Sequence, residues 1–204
     1  FKGNEDLFYN FKMNGKKFGD DEEDVINITN ILIDRTTKVL EKYRNPFGGK
    51  YKIGLSSNGF VEFGKQINAS VDGRKAGEPL GVHVSFTHKE VNYISLFNFS
   101  SQLNYQQAFN GAVTDIIIDY GFLIRNLNNF LFLFKTFFLK GGAQLQCNVL
   151  DNVTLLKAFK NPESFPNLIV RVWGFSAYFK DLPREYQELI IERAQRYECI
   201  TFNN

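Results

Sequence analysis

The chain has 204 residues, with 24 Lys and Arg against 22 Asp and Glu and a formal net charge of +2. That length makes one good-sized domain or two small ones, and 44% hydrophobic with 23% charged residues excludes wholesale disorder and fibrous repeats. So even a charge balance leaves no electrostatic footprint for wrapping nucleic acid or an anionic membrane.

Residues 1–19 are polar and punctuated by glycine, and an acidic run follows at Asp20, Asp21, Glu22, Glu23 and Asp24. Val25, Ile28, Ile31 or Leu32, Arg35 and Val39 are spaced for an amphipathic helix reaching about Tyr43. The carboxylates then sit at its positive end as a solvated helix start. The breaker Asn45-Pro46-Phe47-Gly48-Gly49 ends it. Residues 50–88 read as short strands and Gly-rich loops. A second helix is expected over 122–139, with Leu123, Leu127, Leu131, Phe134 and Phe138 as one buried stripe and Gly141-Gly142 as its stop. Alternation over residues 144–149 predicts a strand, residues 154–159 a short helix, and residues 161–166 a loop. A further strand over 168–172 runs into Trp173, Gly174 and Phe175. The last helix spans about Pro183 to Tyr197, with Asp181 as its cap and Tyr186, Leu189, Ile190 and Tyr197 on one face. The 22 Phe, against one Trp and one Met, read mainly as core filling.

Two cysteines, Cys147 and Cys199, make no disulfide framework, and with only His83 and His88 a histidine-based metal cluster is not expected. Residues 59–66 are a near miss for a phosphate-cradling loop. Gln66 stands where a Mg-binding hydroxyl is needed, and Phe60, Val61, Glu62 and Phe63 are bulky where backbone must approach phosphate. The most apolar stretch, 122–138, is interrupted by Arg125 and Lys135 and falls short of the ~20 apolar residues of a membrane span. The N-terminus carries no apolar signal core. The four sequons at Asn27, Asn68, Asn98 and Asn152 fit an Asn-rich cytosolic chain, so a cytoplasmic location is expected. The start without Met suggests a piece of something longer.

The segment Arg171-Val172-Trp173-Gly174-Phe175-Ser176-Ala177-Tyr178-Phe179 closely resembles the glycyl radical loop of the pyruvate formate-lyase and glycerol dehydratase superfamily. Upstream, in the family's order, Arg44 with Gly48-Gly49-Lys50 looks like its Arg-Gly-Gly-Lys segment. Asp72-Gly73-Arg74-Lys75-Ala76-Gly77-Glu78-Pro79-Leu80 matches its next loop. Leu103-Asn104-Tyr105 with Asn110-Gly111, and Gly141-Gly142 with residues 146–151, match its later landmarks. The similarity runs from about Phe18 to the end.

The resemblance implies an α/β fold, the C-terminal portion of a pyruvate formate-lyase-like α/β barrel with the radical loop near the C-terminus. Residues 1–88 would belong to the barrel and 89–204 to a glycyl radical domain whose loop is 171–179. It assigns Gly174 as the radical site, with Arg171, Phe175, Ser176 and Tyr178 shaping the loop. It implies no directly bound cofactor or metal, and a radical S-adenosylmethionine activating enzyme as partner. The family couples its radical to a cysteine in a Cys-x-Glu-type loop, and no Cys precedes Cys147 here. The remainder of the enzyme, carrying that cysteine, is therefore a second expected partner. Lyase or acyltransferase chemistry on a small organic substrate, without oxygen, follows. Cys147 and Cys199 read as structural. Residues 85–94 lack the prolines, glycines and aspartate of the family loop, which keeps a non-catalytic remnant or spare-part subunit as the alternative.

Overall fold

The computed structural model describes residues 2–57, 59–85, 92–108, 110–172 and 174–197. In chain order they form α1 (Glu5–Asn14), α2 (Glu23–Leu40), α3 (Phe60–Lys65), α4 (Tyr93–Ser101), β1 (Val113–Asp119), α5 (Tyr120–Arg125), α6 (Leu127–Leu139), β2 (Gln144–Leu150), α7 (Asn152–Lys160), β3 (Ile169–Val172), β4 (Phe175–Tyr178) and α8 (Arg184–Tyr197). β1 and β2 run parallel, in register from Val113 opposite Gln144 to Asp119 opposite Leu150. Parallel neighbours need a crossover, and α5 with α6 supplies it. β3 and β4 form a separate antiparallel hairpin. This is a mixed α/β architecture of two small sheets.

β1 is the centre of the core. Ile116, Ile117 and Ile118 are all buried, so the strand is covered on both faces. α4 and α6 close one side through aromatic rings: Tyr93 meets Phe130 edge-on at 5.3 Å between centroids, and Phe97 lies 5.0 Å from Phe137. The Tyr93 hydroxyl donates to the Ile117 carbonyl at 2.7 Å. α7, α8 and the hairpin contribute Leu155, Ala158, Ile190, Ala194, Val170 and Val172 to the same cluster. That cluster includes Phe60, Val61 and Val82, and a smaller one joins Ile33 and Val84 to Phe99 and Leu103, so packing crosses residue 88 twice.

Several sequence expectations change. Residues 5–14 form α1, whose side chains bury none of their residues, so the apolar period that reveals other helices is missing there. α2 forms as predicted but turns the other way: Thr29, Ile33 and Thr37 are buried, whereas Ile28, Ile31, Leu32 and Val39 face outward. Among the described residues of the 50–88 stretch, the expected strands reduce to isolated bridges, Lys50 with Arg44, Leu55 with Ala112 and Val84 with Thr114. Residues 60–65 fold as α3, packed so closely that a Cβ on Gly64 would meet the Glu78 carbonyl oxygen at 2.4 Å.

The single helix over 122–139 is two helices. Asn126 breaks it at φ −120°, with its side-chain amide donating to the Phe122 carbonyl at 2.9 Å, the competition with backbone that makes Asn a poor helix interior. The break resets the helical phase. Phe130 and Phe137 become the buried pair, and Leu127, Leu131 and Phe138 are about half exposed. The glycine stop holds: Gly142 N–H reaches the Phe137 carbonyl and Gly141 N–H the Phe138 carbonyl, with Gly141 at φ +111°. Asp181, the expected cap of α8, closes a 3-10 turn over Phe179–Asp181 and is separated from the first residue of α8, Arg184, by Leu182 and Pro183. The Gln187 side-chain amide donates to the carbonyls of Phe179 and Leu182, which ties α8 to that turn. Tyr186, Leu189 and Ile190 do lie on the packed face; the side chain of Tyr197 is outside the described set. α4 and β1 arise where periodicity predicts no element.

Candidate functional site

β3 is short and β-branched, and its burial alternates, with Val170 and Val172 inside and Ile169 and Arg171 outside. β4 pairs with it from Ile169 opposite Tyr178 to Val172 opposite Phe175. Only residues 173 and 174 connect the strands, so Gly174 stands in a two-residue loop at the tip. The strand expected over 168–172 forms as Ile169–Val172. Two-residue loops demand positive φ, and Gly174 has φ +113°, outside the reach of ordinary L side chains. It is exposed, and apart from its chain neighbours no described residue comes within 4 Å of a Cβ at that position.

The other predicted loop residues are sorted by the pleat. Arg171, Ser176 and Tyr178 share one face of the hairpin, because Arg171 pairs with Ser176 and Ile169 with Tyr178. Phe175 lies on the opposite face at the tip, and is exposed like Tyr178. Trp173 is outside the described residues.

The hairpin is fixed to the body by polar side chains of β2. Arg171 N–H donates to Asn148 Oδ1 at 2.7 Å, and Asn148 Nδ2 donates to the Arg171 carbonyl at 2.8 Å. Arg171 Nε donates to Gln146 Oε1 at 3.2 Å, and Gln146 Nε2 donates to Asp115 Oδ1 at 2.7 Å. Asp115, fully buried on β1, is paired through Oδ2 with Arg193 of α8 at 2.7 Å. Gln146 and Asn148 were visible in the sequence only as a family landmark without a role. Asp115 and Arg193 gave no local signal, since their meeting is a matter of tertiary structure.

Cys147 lies between these two amides and is half-buried. Burial, together with the nearby Asp115 carboxylate, pushes its thiol up to about 12. It is a neutral thiol near pH 7, the opposite of an activated nucleophile. Cys199 is outside the described residues. Among the described residues no group of His, Cys, Asp and Glu is arranged to hold a metal, and no helix is long and apolar enough to cross a membrane.

The Glycine radical family model matches residues 88–180, a span that contains β1, β2 and the whole hairpin. The chain belongs to the glycyl radical enzyme superfamily, by its C-terminal region. The glycerol-bound B12-independent glycerol dehydratase from Clostridium butyricum superposes with a TM-score of 0.86 at 35% identity, over 95% of this chain and 25% of that one. A glycyl radical enzyme from Archaeoglobus fulgidus gives 0.84 at 31% identity, over 94% and 25%. By sequence, formate acetyltransferase of Haemophilus influenzae is 28% identical over 205 residues, covering 90% of this chain and 26% of the relative. The (2S)-3-sulfopropanediol dehydratase of Klebsiella oxytoca is 25% identical over 189 residues, covering 88% and 23%. The chain thus spans about a quarter of the length of the relatives it matches.

Proposed function

We propose that the chain is the radical-carrying part of a glycyl radical enzyme, with Gly174 as the storage site. The observation that supports this most directly is an exposed glycine at φ +113° in the tip of a two-residue hairpin loop, inside the span matched by the Glycine radical model. An activating enzyme of the radical S-adenosylmethionine class takes one hydrogen atom from Gly174 Cα onto its own organic radical. The C–H bond breaks homolytically and one unpaired electron stays on Cα. Nitrogen donation and carbonyl withdrawal across a planar centre stabilise that electron, and a Cβ would crowd the planar geometry.

Arg171 holds the base of the hairpin, and Phe175, Ser176 and Tyr178 form the surface around the tip that an activating enzyme meets. The cysteine that the radical activates comes from polypeptide outside this chain. The neutral, half-buried Cys147 supports that reading, since it has a packing environment. The relatives' names include dehydratases and formate acetyltransferases. On that basis the reaction class is radical lyase or acyltransferase chemistry on a small organic substrate. The departures in residues 85–94 favour a second reading, a remnant that binds a partner polypeptide without turnover.

One experiment separates the two. The chain is treated anaerobically with a matching activating enzyme and S-adenosylmethionine, and its electron paramagnetic resonance spectrum is recorded. A doublet-split organic radical signal is expected, and Gly174→Ala should abolish it. A folded wild-type chain that stays silent beside an activating enzyme proven on another glycyl radical protein would favour the remnant. The same signal in the Ala variant would remove Gly174 from the role.

A further inference from the structure

A strand inside a protein has to satisfy both of its edges. In the hairpin, Phe179 N–H donates to the Leu168 carbonyl. By antiparallel alternation the pairs 170–177 and 172–175 are then hydrogen-bonded, and Arg171 with Ser176 is not. The N–H and C=O of Arg171 therefore point away from β4, toward β2. There a side chain takes the place of a strand: the single primary amide of Asn148 accepts from one group and donates to the other. Asn148 is itself 5% exposed. Two residues earlier, on the same face of β2, Gln146 accepts from the Arg171 guanidinium and donates to buried Asp115. Asp115 in turn is paired with Arg193 on the terminal helix.

We infer that Asn148 and Gln146 are positioning residues that set the angle at which the Gly174 hairpin leaves the body, and that Asp115 and Arg193 tie this angle to α8. The chemistry explains why both are amides. Each position must accept on one side and donate on the other at the same time, and a primary amide does so from two separate atoms without titrating. A hydroxyl is too short to reach both, and a carboxylate at 146 would face the Asp115 carboxylate. The functional meaning of the angle rests on the radical reading of Gly174, but its physical content does not.

The test therefore begins with hydrogen exchange of the full chain, which needs no radical. In Asn148→Ala, exchange at the Arg171 amide should rise at least tenfold, with the amides of residues 116–118 on β1 unchanged. Gln146→Glu gives a pH profile. Below its pKa the neutral carboxyl donates its proton to Asp115, accepts from Arg171, and behaves like the wild type. Above it the carboxylate faces Asp115, and hairpin exchange, corrected for base catalysis, should rise about tenfold. The charged and titratable groups facing it are Arg171 from β3, Asp115 from β1 and Arg193 from α8, with His83 and Cys147 coupled to Asp115. The wild type should show no such step. Unchanged Arg171 exchange in both variants would overturn the inference, and so would acceleration shared equally with β1. If Asn148→Ala fails to fold, the Gln146→Glu profile decides alone.

A second arm reads activation. Asn148→Ala should lower kcat/KM for radical formation about tenfold while leaving the shape of the radical signal unchanged. Normal activation alongside fast exchange would overturn the link between hairpin angle and presentation of Gly174. A wild-type chain without signal would remove the radical reading, and the exchange data would still decide whether the amides hold the hairpin.

Discussion

Apart from its two chain neighbours, no described residue comes within 4 Å of a methyl group added at residue 174, yet the backbone there, at φ +113°, disfavours any L side chain. Gly174→Ala should therefore fold and lose only about 1–2 kcal/mol to conformational strain, read by chemical denaturation. Its radical phenotype can then be interpreted without a folding defect. Gly64 is the contrasting case, because its Cβ would meet Glu78 O at 2.4 Å and Pro79 Cα at 2.8 Å. Backbone cannot yield as a flexible side chain does, so Gly64→Ala should cost roughly 1–3 kcal/mol by overpacking in the same assay. Cys147 makes a chemical prediction. With its thiol pushed up to about 12, the thiolate fraction is very small at pH 8 and grows as pH rises toward 12. In a Cys199→Ser background, alkylation by iodoacetamide at pH 8 should run at least tenfold slower than on an unfolded control. Rapid labelling of the native chain at pH 8 would contradict the buried, neutral thiol.

Between elements, one buried charge pair ties the sheet to the last helix. Asp115 on β1 is fully buried and Arg193 on α8 is 7% exposed, so removing either partner leaves the other uncompensated. Asp115→Ala should cost about 3–5 kcal/mol, seen as a lowered denaturation midpoint. Nothing in the sequence near residue 115 announces this pair, since its members are 78 positions apart. What the sequence did reveal were features with local causes. The glycine stop after α6, the alternation of β2 and the family pattern at 171–179 depend on neighbours a few residues away. The single helix expected over 122–139 failed at Asn126, whose side chain binds backbone within its own turn. The missing α1 failed for want of an apolar face. α2 is the instructive one: its stripe of Ile28, Ile31, Leu32 and Val39 is a sound amphipathic pattern, and the helix exists, but the polar-seeming side with Thr29 and Thr37 is the one packed inside. Of the site, sequence pattern picked out Gly174 and its neighbours. The amides that hold them were legible only as matched letters, because their partners lie on other strands.

Across the whole molecule, large apolar side chains stand outward on more than one side. α2 shows Ile28, Ile31 and Leu32, and α6 shows Leu131, Phe132, Phe138 and Leu139, the last 77% exposed. Together with a chain that spans about a quarter of its relatives, these faces suit a surface that other polypeptide covers. Expressed alone, the chain should bind the dye ANS strongly and self-associate at micromolar concentration. Replacing Ile28, Ile31 and Leu32 with Gln should reduce both, as followed by fluorescence and light scattering.

The open space around the hairpin tip has one more consequence, and it concerns dioxygen. Apart from its two chain neighbours, no described residue comes within 4 Å of the Cβ position at Gly174, so an activated residue in this chain would stand open to the gas. Addition there gives a peroxyl group whose collapse severs the main chain. The nick would fall at a turn outside the packed interior. The fragment from about residue 175 onward, some thirty residues, keeps the strand pairing of β4, the Ile190 and Ala194 contacts and the Arg193 ion pair. A poisoned molecule should therefore keep its native size in gel filtration and separate into two pieces only on denaturation. Each aerated sample would then carry, as the fraction of cut chains on a denaturing gel, a count of the molecules that held a radical when air arrived.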